Sequence, residues 1–286
     1  MDTVRPLAVV TGASSGIGRE LARTFAAHGF DLVLCAEDAA VRTVADELRG
    51  RGADVTAVRA DLATYDGVEQ LHAAVLATRR PVAAAALNAG VGTGGAFTDT
   101  DLADHARVID VNISGTVHLA HRLLRAMVDE DEGRLLITSS VVSMAPGPFQ
   151  SVYSASKSFL QSFAQALREE LKDTGVTVTS LMPGATETDF FHRAGMDDTR
   201  LGRLRHKDDP ARVAQDAFEA LMRGRNRVVA GSVKSRVLGA AVKAVPDRLK
   251  AAGQRYLSEP PAAAGPGRRR GRRRRRGRRP KAGRRV

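Results

Sequence analysis

Short apolar runs alternate with helix-length segments along most of this chain, and that alternation leaves few folds open. Leu7–Val10, Asp31–Cys35, Ala53–Val58, Val82–Leu87, Arg134–Ile137, Val176–Leu181 and Arg227–Ala230 read as strands. Between them apolar residues recur at helical spacing: Leu21, Ala22, Phe25 and Ala26, then Val41, Val44, Ala45 and Leu48, then Val68, Leu71 and Val75, and later Val213, Ala217 and Leu221. Two longer helices are expected, one from Asp99 through Asn112 to about Val128, the other carrying Tyr153 to about Asp173, where Gly175 breaks it. Residues 185–207 read as irregular. Strands joined through helices pair in parallel by right-handed crossovers. The expected fold is therefore α/β, a doubly wound parallel sheet of about seven strands with helices on both faces. With no Trp and 4% aromatic residues, its core must be Val, Leu, Ile and Ala, the usual filling of a covered parallel sheet.

In such sheets ligands bind outside the carboxyl ends of the strands, and the distinctive residues fall there. Thr11 to Gly18 follows the first strand and opens the first helix. Gly12, Gly16 and Gly18 permit a tight turn in which backbone N–H groups, those of Ser14, Ser15 and Ile17 among them, approach a pyrophosphate at a helix N-terminus. Asp61-Leu62 follows the third strand, Asn88-Ala89-Gly90 the fourth, Ser139-Ser140 the fifth and Pro183-Gly184 the sixth.

Tyr153 and Lys157 are four apart, so on a helix they share a face. A phenol titrating near its ordinary value of about 10 is a poor acid or base at neutral pH. An ammonium about 4 Å away, worth roughly 4 kcal/mol at an effective dielectric near 20, brings it into working range. A bare Tyr-x-x-x-Lys also fits an ordinary amphipathic helix, so context decides.

The net charge of +12 misleads about the folded part. Thirteen of the 44 Lys and Arg lie between Arg268 and Arg285 with no acid among them, and the other 31 face 32 Asp and Glu, a net of −1. The expectation is one domain over residues 1–257 and a disordered Pro/Gly/Arg-rich tail over 258–286, able to bind polyanions through phosphate neutralisation. Val233 to Leu257, with Lys234, Arg236, Lys243, Arg248 and Lys250, reads as a basic amphipathic helix interrupted by Pro246, packed on the domain or on a partner subunit. The single cysteine, Cys35, excludes an intramolecular disulfide, and no spacing of Cys and His suggests a metal site. No apolar run reaches the roughly 18 residues of a membrane span, and no secretory leader is visible. A reduced, cytoplasmic protein is expected.

Over roughly residues 5 to 250 the chain resembles the short-chain dehydrogenase/reductase family. The resemblance rests on Thr11 to Gly18, Asn88-Ala89-Gly90, Asn112 in Val111-Asn112, Ser140, Tyr153 with Lys157, and Pro183-Gly184. One departure is Leu87, where the family often has Asn. The resemblance implies a Rossmann-type domain and an oxidoreductase moving hydride between a nicotinamide cofactor and a carbonyl/alcohol pair. Tyr153 would be the general acid/base. Ser140, rather than the competing Ser139, would hydrogen-bond the substrate oxygen. Lys157 would lower the tyrosine pKa and bind the nicotinamide ribose, and Asn112 would hold a water in a proton relay. Asp61 would lie near the adenine and Thr188 would hold the nicotinamide carboxamide.

Cofactor choice would turn on Cys35-Ala36-Glu37-Asp38. Glu37 can accept from ribose hydroxyls and repel a 2′-phosphate, so NAD is expected over NADP, with helix capping as the competing role for Glu37 and Asp38. Substrate contacts are expected from Val141 to Gln150 and from Phe190, Phe191 and Met196, suiting a largely apolar carbonyl or alcohol, with His192 and Arg193 at the rim. A homodimer or homotetramer is implied. The alternative is a non-catalytic dinucleotide-binding scaffold anchored to nucleic acid by its tail, which would have no need of a proton relay.

Overall fold

The computed structural model describes residues 5–231 and 246–260. Seven strands form one sheet: β1 (Leu7–Thr11), β2 (Asp31–Ala36), β3 (Val55–Arg59), β4 (Val82–Leu87), β5 (Gly133–Thr138), β6 (Val176–Pro183) and β7 (Arg227–Ala230). They are parallel throughout, in the order β3-β2-β1-β4-β5-β6-β7. The chain order reverses between β1 and β4, which opens a crevice at their carboxyl ends.

Alternate strand residues face opposite layers, and the core splits accordingly. Ala8, Val10, Leu32, Leu34, Ala86, Leu136 and Leu181 pack under α1 (Gly16–Ala27), α2 (Ala40–Arg49) and α8 (Pro210–Met222). Leu7, Val9, Val33, Cys35, Leu87, Leu135 and Ile137 face α3 (Tyr65–Ala77), α5 (Thr116–Asp129) and α6 (Ser151–Glu170). Some of the scarce aromatics seal one end of this core. Phe25 meets Phe30 and Phe218 edge to face at 5.1 Å each, sealing the end of α1 against α8.

The long helix expected from Asp99 starts later and is not uniform. Asp101 caps α4 (Leu102–Ile109) by accepting from the Ala103 N–H at 3.0 Å. A π-helical turn, Asp110–Gly115, then joins α4 to α5. At Gly115 a Cβ would stand 2.1 Å from the Leu62 carbonyl oxygen, so only glycine lets the helix approach the β3–α3 turn. β3 begins at Val55 rather than Ala53, because the Asp54 N–H is taken by the Asp31 side chain at 2.9 Å.

Residues 185–207 hold one helical turn, α7 (Phe190–Arg193), in otherwise irregular chain. Past the described part of β7, α9 (Asp247–Ser258) starts after Pro246 and ends one residue beyond the expected boundary. Ser258, assigned to the tail from sequence, is buried, because its hydroxyl accepts from Gln150 Nε2 at 2.7 Å. Residues 233–245 of the basic amphipathic stretch and 261–286 of the tail lie outside the described residues. Among the described residues no helix is long and apolar enough to cross a membrane, and no cluster of His, Cys, Asp and Glu could hold a metal.

Candidate active site

A cavity of about 1480 Å³ lies along the carboxyl ends of the strands. That exceeds the roughly 300–1,000 Å³ of an ordinary small-molecule pocket and suits two ligands side by side. Of the expected residues, Gly12, Ser14, Ser15, Gly16, Ile17, Glu37, Asp61, Leu62, Asn88, Ala89, Gly90, Ser140, Tyr153, Lys157, Pro183, Gly184 and Thr188 line it. Gly18 and Asn112 do not. A Cβ on Gly18 would meet the Gly12 carbonyl oxygen at 2.0 Å, so this glycine packs helix against turn instead of forming the wall.

The turn is held from below. Thr11 Oγ1 accepts from the Asn88 and Ala89 N–H groups at 2.9 and 3.0 Å, tying β1 to the end of β4. Gly12 and Gly16 have φ of 65° and 53°, the left-handed region that suits glycine. Thr188 crosses from the far wall and sits where a Cβ on Gly16 would come within 2.9 Å of its methyl. Ser15 caps α1 with no side-chain bond, and the first turn carries no acid. An unshielded helix N-terminus opening on a cavity is a ready seat for a phosphate, so the residues present fit a dinucleotide.

Midway along the cavity, α6 presents Tyr153 and Lys157 four residues apart, both buried. Ser140 lies on the same wall, close enough for its hydroxyl to draw the pKa of the Tyr153 phenol downward. Ser139 instead donates to the Lys157 backbone oxygen at 2.7 Å, which locks α6 onto β5. Lys157 Nζ donates to the Thr138 carbonyl at 2.9 Å and lies 5.8 Å from the Tyr153 ring centre. Gly90 makes room for it, since a Cβ there would stand 3.1 Å from Nζ.

The electrostatics differ from the sequence expectation. Burial pushes the Tyr153 phenol up to about 12, against a lowering pull from Ser140, and burial brings the Lys157 ammonium down to about 8. In a dry pocket desolvation penalises both charged forms, and it outweighs the lowering expected from Lys157.

Asn112 sits in the π-helical turn, fully buried. Its Oδ1 accepts from the Val91 N–H at 2.8 Å, and its Nδ2 donates to the Val91 carbonyl at 2.9 Å and to Ser156 Oγ at 3.0 Å. The amide braces the loop after Gly90 against α6, and both its N–H bonds are spent on that. Ser156, absent from the sequence reading, completes the brace by donating to the Tyr153 carbonyl at 2.7 Å.

At the end outside β2 and β3, Arg107 of α4 donates to Asp61 Oδ2 at 2.6 Å and to Glu37 Oε2 at 2.5 Å. Its guanidinium holds the Asp61 carboxyl below the usual range. Asp38 takes the capping role: it accepts from the Ala40 N–H at 3.0 Å and from Ser14 Oγ at 2.8 Å.

At the opposite end Val141, Val142, Gln150, Phe190 and Phe191 line the cavity as expected. Met196 is buried behind Phe191 and Ala194. His192 is exposed and paired with Asp197 at 2.7 Å, away from the cavity. Phe190 packs on Tyr153 with ring centres 5.1 Å apart, in space left by the missing side chain of Gly92. Sequence reasoning missed Leu201, Leu204, Gln254 and Leu257, which close this end from α9 and the irregular segment.

A parallel sheet reversing at β1/β4, an anion seat at the reversal and a buried phenol beside it define a dinucleotide-dependent oxidoreductase. A family model described as short chain dehydrogenase matches residues 6–198. The oxidoreductase UcpA of Salmonella typhimurium is 32% identical over 215 residues, 75% of this chain and 79% of that protein. A short-chain dehydrogenase/reductase from Burkholderia phymatum, solved in complex with NAD, superposes with a TM-score of 0.74 at 27% identity, covering 84% of this chain and 92% of that one. A short-chain dehydrogenase from Sphingobium yanoikuyae, in complex with NADPH, gives 0.74 at 29% identity, covering 93% and 100%. The chain belongs to the short-chain dehydrogenase family. Its chemistry is hydride transfer between a nicotinamide cofactor and an alcohol or carbonyl group.

Proposed function

We propose that the protein reduces a largely apolar carbonyl compound to its alcohol, with Tyr153 as proton donor. The observation that carries this is the buried Tyr153, with Ser140 beside it, on the wall of the cavity that begins at the glycine turn. A bound nicotinamide supplies the hydride. Tyr153 then gives its phenolic proton to the carbonyl oxygen, Ser140 donates a hydrogen bond to that oxygen as its charge grows, and Lys157 stabilises the tyrosinate left behind. Asn112 acts on the loop that frames the reaction, through Val91 and Ser156. Val141, Val142, Phe190 and Leu257 favour an apolar substrate body, while Arg193, His206 and Lys207 offer polar contacts at the rim.

The burial of Tyr153 supports the reductive direction. A phenol pushed up to about 12 is protonated at neutral pH and ready to donate. Oxidation needs the phenolate, whose share below that pKa grows about tenfold per pH unit. From pH 6 to 7, below the Lys157 value of about 8, kcat/KM for ketone reduction is expected to stay flat while that for alcohol oxidation climbs, and reduction should fall above pH 8 as Lys157 gives up the charge that stabilises the tyrosinate. A panel of ketones and alcohols followed by nicotinamide absorbance measures both. An oxidation rate flat with pH, or no turnover of any carbonyl on a wide panel, counts against the reading.

Glu37 supports NAD over NADP by about tenfold, the equivalent of about 1.4 kcal/mol. The family resemblance supports a homodimer or homotetramer built on the α4–α5 and α6 faces, where Ile109 and Phe159 are exposed. The absence of apolar residues from the arginine run supports a solvated arm for polyanions. A chain ending at Pro261 is expected to keep its melting temperature and kinetics and to lose retention on mixed DNA at low salt. Unchanged retention would place the binding surface elsewhere. The single free cysteine, Cys35, supports residence in a reduced, cytoplasmic setting.

A further inference from the structure

We propose that Arg107 is a positioning residue for cofactor choice: it holds the Glu37 carboxylate at the cavity wall where the adenosine ribose of the cofactor is read. This rests on the dinucleotide reading of the cavity given above. Glu37, Asp61 and Arg107 all line that cavity, outside the ends of β2 and β3. An acid at the end of the second strand is the element that accepts from a ribose hydroxyl in folds of this type.

Glu37 cannot hold that position by itself. Its side chain is 49% exposed, and several rotors separate its carboxylate from the backbone. Ordering such a side chain costs entropy comparable to the hydrogen bond it would make to a ligand. Among the described residues, the only partner of its carboxylate is Arg107, through Oε2 at 2.5 Å. Oε1 is left to accept from a ligand.

Asp61 is different. Its second oxygen accepts from the Ala63 N–H at 2.9 Å, so its own turn fixes it with or without the arginine. Arg107 therefore uses Asp61 as a fixed post and Glu37 as the group it orders. The planar guanidinium reaches both carboxylates at once with separate nitrogens, and a lysine could not span them in that way. The opposite role, direct reception of a 2′-phosphate, would require the guanidinium to leave two short charge-assisted bonds.

The test is calorimetric titration of the full chain with NADH, NADPH and adenosine monophosphate, for wild type, Arg107→Met, Glu37→Ala and the double variant. Arg107→Met is expected to weaken NADH and adenosine monophosphate by about tenfold, the scale of one charge-assisted hydrogen bond. NADPH should weaken less, so the preference for NADH shrinks. In the Glu37→Ala background the same change should cost NADH under about threefold, because nothing is left to position. Arg107→Lys should restore little. In turnover the loss should fall on KM for the cofactor rather than on kcat. A larger loss for NADPH than for NADH would make Arg107 a phosphate receptor and overturn the proposal. So would equal losses in both backgrounds, or a lowered melting temperature with unchanged affinities, which would mark a structural tie. If wild type bound none of the three, the dinucleotide reading itself would fall, and this inference with it.

Discussion

Tyr153→Phe is expected to lower turnover by at least the roughly 10²-fold typical of lost general acid/base catalysis, with little change in cofactor affinity. The phenylalanine keeps the ring contact with Phe190 and loses only the hydroxyl beside Ser140. Stability should move little, because the same change removes a buried phenol whose neighbour, Ser140, retains the Val142 N–H at 3.3 Å and the Pro183 carbonyl at 3.4 Å. Steady-state kinetics on a true substrate, with a melting curve as control, decide the matter. A variant with half the wild-type turnover would remove Tyr153 from the chemistry.

The second large effect sets activity against stability. Lys157→Met should lower turnover by at least about 10²-fold, the scale of a lost charge-stabilising group. The melting temperature at pH 7 should be held or raised. An unfolded lysine keeps its proton to about 10.5, whereas this buried one gives it up near 8. Between those values the unfolded chain binds more protons, so stability rises with pH across the window, and below it the full penalty applies. A shift of this size corresponds to about 3 kcal/mol at pH 7. Methionine recovers it, less about 1–3 kcal/mol for the Thr138 carbonyl left without its donor. The advantage should fade by pH 10, where the wild-type lysine is increasingly neutral. A variant that melts well below wild type at pH 7 and tracks it to pH 10 would show that burial does not strain this lysine.

These two residues were legible because their spacing lies on one helix and their neighbours in the motif follow strand ends. The seven strands were legible for a similar reason: each is a short apolar run with a turn signal behind it. What the sequence did not reveal joins distant segments. Arg107 reaches partners 46 and 70 positions away, and on its own helix it looks like an ordinary surface arginine. Gln150 and Ser258, 108 positions apart, meet only because α9 returns to the substrate end. The π-helical turn at Asp110–Gly115 leaves the apolar spacing of its helix nearly unaltered, and it ends in a glycine held against the Leu62 carbonyl, a tertiary contact. The sign of the Tyr153 shift was missed for a related reason. Sequence spacing shows that a lysine is near, but how much water the pocket excludes depends on Phe190, Gly92 and the strand ends together.

Cys35 carries a practical consequence. It lies in β2 with no solvent exposure, its sulfur 3.9 Å from the Ala60 carbonyl, and burial pushes its thiol up to about 12. At pH 8 only about one molecule in 10⁴ carries the reactive thiolate there, and that one is shielded by the sheet. As the only cysteine in the chain, it leaves the native protein close to silent toward maleimides and other thiol labels. A single cysteine placed on α7, on α9 or in the tail would therefore carry a fluorophore or spin label to that site alone, with no need to alter the core first.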